Sequence, residues 1–141
     1  MALVDTLDFF PASHPGRARL LTYLQSLCDA VIAAQDTRTK GWWLVMTPGY
    51  EGKWGNYIES TGSSMFVYGL LKALRMGYIE GKEYKKVALD GYKLMTQTFV
   101  SVSKPSGELN LDWGVQTGSL SSNGTFEVSH FLILHRSVTL G

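Results

Sequence analysis

Glu59-Ser60-Thr61-Gly62-Ser63-Ser64-Met65-Phe66-Val67-Tyr68-Gly69-Leu70-Leu71-Lys72-Ala73-Leu74-Arg75-Met76-Gly77 reads as one helix with a marked start and a marked stop. Glu59 and Ser60 offer oxygens to the free amides of a first turn. Met65, Phe66, Leu70, Leu71 and Leu74 recur at three- and four-residue steps and define the inward stripe. Gly77 stops the helix, because glycine enters the left-handed C′ conformation without steric cost. The first turns are the unusual part. Ser60 to Ser64 are small and mostly polar, which lowers helix propensity and lets another backbone or a ligand come close.

The flanks repeat the helical pattern. Leu3, Val4, Leu7 and Phe10 share a face from the first residues and Pro11 closes that turn, as if a helix were already under way where the chain begins. Ser13 is placed to cap a second helix, with Pro15 in its first turn, over Pro15–Gln35. Leu20, Leu21, Leu24, Leu27, Cys28, Val31 and Ile32 make its apolar face. Gly41 breaks the chain, Trp42 to Val45 reads as extended, and Thr47 to Asn56 is a glycine-rich loop. A last helix over Lys82–Val100 carries Tyr84, Val87, Ala88, Leu94, Met95 and Phe99. Short extended pieces follow Pro105, with a tight turn at Asn123-Gly124. The expected class is all-α, built from stacked helical hairpins rather than a four-helix bundle, with short extended segments near the C-terminus.

Composition narrows the function. The 141 residues weigh 15.6 kDa and carry 45% hydrophobic and 18% charged residues, enough apolar surface for one globular domain. A formal charge of +1 supplies no electrostatic footprint for nucleic acid or an anionic membrane. Asp5 and Asp8 interrupt what a signal peptide would need, and no window reaches the roughly 20 apolar residues of a membrane-spanning helix. Localisation is left open, as a lone cysteine, Cys28, suits either side of the membrane. That single cysteine excludes a disulfide within the chain and a zinc site with two thiolates. His14, His130 and His135 are scattered, so no metal and no organic cofactor is expected. Lys82, Lys85 and Lys86 read as a solvated face.

The candidate site lies where aromatic and polar residues precede a helix N-terminus. Trp42 and Trp43 are candidate stacking surfaces for a sugar ring, although neighbours on a strand face opposite ways and one of them is expected in the core. Asn56, Glu59 and Ser60 either line the mouth of a pocket or cap the helix, and capping is the leading reading. Glu59 has no second carboxylate at a spacing suited to acid and base work. No catalytic residue is assigned.

Gly41-Trp42-Trp43-Leu44-Val45, followed after a loop by Gly55-Asn56-Tyr57-Ile58-Glu59-Ser60-Thr61-Gly62-Ser63-Ser64-Met65-Phe66-Val67-Tyr68, resembles glycoside hydrolase family 105, the unsaturated rhamnogalacturonyl hydrolases, which are related to family 88. Ala2 to Asp8, Pro11, His14-Pro15-Gly16-Arg17, Gln35-Asp36 and Gly77-Tyr78-Ile79 are similar to it as well. The resemblance implies an (α/α)6 toroid of the six-hairpin glycosidase type. It also implies removal of unsaturated uronic acid from pectin-derived oligosaccharides, through hydration of the enol-ether double bond by an aspartic acid.

In that family the catalytic Asp, a substrate-binding His and an Arg-Gly-Asn-Gly-Trp segment precede the part that Met1 would match. None of Asp5, Asp8 and Asp36 falls in the catalytic motif. Residues 1–127 are family-like. The similarity stops at Val128-Ser129, a dipeptide that the splice-donor hexamer GTAAGT encodes, so residues 128–141 read as an aberrant tail. The expectation is a single incomplete toroid domain over residues 1–141, a fragment of a pectin-processing hydrolase that is inactive alone. Its partner would be an unsaturated uronide oligosaccharide, and its uncovered helical faces would self-associate. The alternative is a non-catalytic carbohydrate-binding or interaction module.

Overall fold

A computed structural model of the chain describes residues 1–115 and the backbone of 138–140. Four α-helices come first: α1 (Ala2–Thr6), α2 (Arg17–Ala33), α3 (Ser60–Arg75) and α4 (Lys82–Leu94). A π-helical turn over Met95–Phe99 then leads into β1 (Val100–Val102), β2 (Leu109–Leu111) and β3 (Val138–Leu140). The strands form one antiparallel sheet in the order β1-β2-β3, with Val100 opposite Leu111 and Leu109 opposite Leu140. The expected turn at Asn123-Gly124, and most of the expected tail, lie outside the described residues.

The core runs between the helices. Val4 and Leu7 at the N-terminus, Leu24, Cys28 and Val31 of α2, Val67, Leu70 and Ala73 of α3, and Tyr84 and Ala88 of α4 are all buried. Two expected core positions turn outward. Met65 is 45% and Leu27 is 46% exposed, because burial follows the tighter stripe Ser60, Ser63, Val67, Leu70, Ala73 on α3 and Leu24, Cys28, Val31 on α2. Small residues, rather than the bulkiest, face inward where α3 meets its neighbours closely.

The helix ends show why the elements stop where they do. After α3, Gly77 takes φ 68°, its amide reaches Leu74 O at 3.1 Å and the Tyr78 amide reaches Ala73 O at 2.9 Å. Those two bonds satisfy carbonyls the last turn would otherwise leave open. The expected Ser13 cap of α2 does not form. The N-cap is Gly16, whose amide donates to His14 Nδ1 at 3.0 Å. Arg17 donates instead to Leu7 O at 2.8 Å and to Phe10 O, clamping the turn after α1 onto α2. The final helix is shorter than expected. The chain leaves α geometry at Leu94, buries Phe99 through the wider π turn, and is already extended at the β-branched Val100.

Candidate functional site

The segment before α3 lies against the segment after Gly41. The Glu59 amide donates to Trp42 O and the Leu44 amide to Tyr57 O, both at 2.9 Å, leaving one antiparallel bridge, Trp43 to Ile58, where an extended run was expected. Gly41 makes this approach possible. A Cβ there would lie 2.3 Å from Ile58 Cγ2 and 2.6 Å from Leu94 Cδ2.

The alternation expected of the tryptophan pair holds, and it removes Trp42 from the site. Trp42 is 1% exposed, its indole N–H donates to Val31 O at 2.8 Å, its amide donates to Ser63 Oγ at 3.2 Å, and its ring meets Phe66 edge-on. It has no free face for a sugar; it is core. Trp43 is half-buried, with its indole N–H 3.3 Å from Asp36 Oδ1. Burial pushes the Asp36 carboxyl up, but donors from the Thr39 hydroxyl, the Thr39 amide and the Trp43 indole outweigh it and hold the group below the usual carboxylate value.

The three polar candidates sit behind the rim rather than on it. Asn56, 8% exposed, donates to Val45 O and Tyr50 O and accepts from the Val45 amide, stapling the glycine-rich loop shut. Glu59, 7% exposed, caps α3 through the Thr61 and Gly62 amides and also accepts from the Thr61 hydroxyl and the Val115 amide. Ser60 is fully buried and its amide donates to Trp113 O at 3.0 Å. Among the described residues no partner meets Ser60 Oγ or Tyr57 Oη, both buried. Burial, and then the charge of Glu59, push the Tyr57 phenol up to about 12.

These bonds gather a residue the sequence did not single out. Trp113 has φ 63°, is 56% exposed, and its ring lies 5.9 Å from that of Tyr57 at a 45° tilt. Its only sequence signal is an aromatic beside Gly114 in a loop, which carries no direction until the fold brings it to the start of α3.

The opposite end of α3 differs. A depression of about 500 Å³ there is lined by Leu7, Phe10, Arg17, Lys72, Arg75 and Tyr78 among others. Lys72 is paired with Asp5 at 2.7 Å and Asp8 at 2.6 Å. Among the described residues no three His, Cys, Asp or Glu side chains come together as a metal site, and no helix is long and apolar enough to cross a membrane.

The sequence profile of glycosyl hydrolase family 88 matches residues 1–130. The chain belongs to that family. Among solved structures, a family 105 glycoside hydrolase of C. acetobutylicum superposes with a TM-score of 0.81 at 32% identity, over 99% of this family 88 chain and 38% of that one. A possible family 105 member from Salmonella enterica gives 0.72 at 21% identity over 98% of this chain and 32% of that one, a likeness of fold. Protein Atu3128 of Agrobacterium fabrum is 39% identical over 85 residues, 60% of this chain and 35% of that protein. The chain thus spans about a third of the length of the relatives it matches, and its helices are those of part of a six-hairpin glycosidase.

Proposed function

We propose that this chain is a segment of a hydrolase that removes unsaturated uronic acid from the non-reducing end of rhamnogalacturonan-derived oligosaccharides, and that the segment contributes wall and rim rather than the acid. The observation that carries the reading is the family match over residues 1–130, joined to a fold agreement of 0.81 with a family 105 enzyme. The local chemistry agrees with it. Glu59 is the carboxylate just behind the rim, and it accepts from the Thr61, Gly62 and Val115 amides and from the Thr61 hydroxyl. A group so committed as an acceptor is built to hold structure, not to hand a proton to an enol ether. The rest of the toroid would supply the acid.

The test is an assay on an unsaturated galacturonosyl-rhamnose disaccharide, following loss of the conjugated double bond by its ultraviolet absorbance. The 141-residue chain alone is expected to give no turnover, and the chain joined to the N-terminal part of a family 105 enzyme is expected to consume the disaccharide. Turnover by the chain alone overturns the assignment of the acid to another segment. If the joined protein is inactive on this sugar but active on an unsaturated glucuronyl disaccharide, the substrate class changes to the latter. Self-association of the isolated chain through its uncovered helices is part of the same reading. Tyr23, Leu27, Leu89 and Tyr92 are all at least 46% exposed on α2 and α4.

A further inference from the structure

We propose that the Trp113 indole is a platform on which a pyranose ring of the oligosaccharide stacks, with Glu59 as the positioning residue that holds it; this rests on the carbohydrate-processing reading above. The argument begins with the backbone. Trp113 has φ 63°, and Lys40 is its sole companion among the described non-glycine residues with positive φ. For a bulky aromatic this region is strained, and such strain persists only where the surroundings over-determine it.

Packing does not account for it. Trp42 shows what a tryptophan kept for stability looks like: 1% exposed, its N–H bonded and its ring enclosed. Trp113 is 56% exposed, and its ring lies beside the tilted ring of Tyr57. Gly114 follows directly, so the chain has a glycine next to the position where one would relieve the strain, yet the aromatic occupies it.

The backbone around the ring is pinned on both sides. The Asp112 amide donates to Phe99 O at 2.7 Å, Trp113 O accepts from the Ser60 amide at 3.0 Å, and the Val115 amide donates to Glu59 Oε1 at 3.2 Å. Three attachments within four residues, to the end of the π turn and the start of α3, fix the backbone from which the indole projects. An exposed, immobilised aromatic face suits the apolar C–H face of a pyranose, whose hydroxyls stay at the rim. Glu59 never touches the sugar in this arrangement; it sets the position of the residue that does.

The experiment uses the ¹⁵N-labelled 141-residue chain, titrated with the unsaturated galacturonosyl-rhamnose disaccharide while the indole N–H signals are followed. Loss of one signal in Trp113→Gly assigns it. The Trp113 signal is expected to move most and to saturate. Trp113→Gly should weaken binding about tenfold or more, while its melting midpoint stays level or rises, since glycine takes φ 63° freely. Trp113→Phe should restore part of the affinity, and Glu59→Gln should displace the Trp113 signal before any sugar is added. A midpoint lowered by several degrees in Trp113→Gly makes the ring a packing element and overturns the proposal. Movement of the Trp43 signal with Trp113 still overturns it too, but leaves carbohydrate binding standing. No movement of any indole overturns carbohydrate binding by this chain altogether.

Discussion

The two ends of α3 carry charges of the sign a helix dipole favours, yet they are built on different terms. At the N-terminal end Glu59 is 7% exposed and its carboxylate is surrounded by protein donors. At the C-terminal end Lys72 meets Asp5 and Asp8 whose side chains are 37% and 38% exposed. The Lys72 ammonium is pushed up and the Asp5 carboxyl held down, in each case first by the hydrogen bond between them. The Lys72 side chain is only 10% exposed, but water reaches both carboxylates, so these ion pairs are the weaker supports. At the other end the acceptor itself is buried, and removing it takes one partner from the Thr61, Gly62 and Val115 amides at once. Charge complementarity alone thus says little; what lies around the charge sets how much depends on it.

That contrast can be broken by substitution. The largest loss is expected for Trp42→Ala, about 3–5 kcal/mol in denaturant unfolding, since it empties the space between α2, α3 and α4 and leaves Val31 O unpaired. Glu59→Ala should cost about 1–3 kcal/mol, since it removes the cap and the shared acceptor of three amides. If it costs no more than Lys72→Met, the distinction between the ends collapses. Alkaline pH gives a finer probe. The folded chain holds the Tyr57 phenol at about 12 against an ordinary 10.0. A raised folded value means stability is whole below pH 10 and drains away as pH climbs toward 12. Tyr57→Phe should flatten that slope, leaving a remainder from Tyr84, which the hydrogen bond to Asp29 also pushes up. The smallest effect belongs to Lys72→Met, expected to leave the melting midpoint within replicate scatter at moderate salt.

The same two ends show how far the sequence could be read. The Gly77 stop was legible because a left-handed C′ residue is a local requirement, and the paired bonds to Ala73 and Leu74 follow from it. The Trp42-Trp43 alternation was legible for the same reason, since side-chain direction along an extended segment has a period of two. Met65 and Leu27 lie outward, 45% and 46% exposed, because side-chain size does not fix depth where helices pack closely. The helix contacts are close enough that the small Ser60, Ser63 and Ala73 are buried beside Val67 and Leu70. Trp113 could not be found at all. Its importance lies in a dihedral angle, in its own bond to Ser60 and in the bond of nearby Val115 to Glu59, both to residues more than fifty positions away, and neither leaves a mark in local spacing.

Cys28 offers a last consequence. It sits 4% exposed in the middle of α2, and burial pushes its thiol up to about 11, with Asp29 adding to the effect. A thiol that is both hidden and protonated near neutral pH does not react with a disulfide reagent until the helices part. Because it is the single cysteine of the chain, its labelling rate is a clock of opening events, readable without introducing a reporter residue. Joining the chain to the remainder of a family 105 toroid should slow that clock, and the factor by which it slows measures how much the added helices stabilise these.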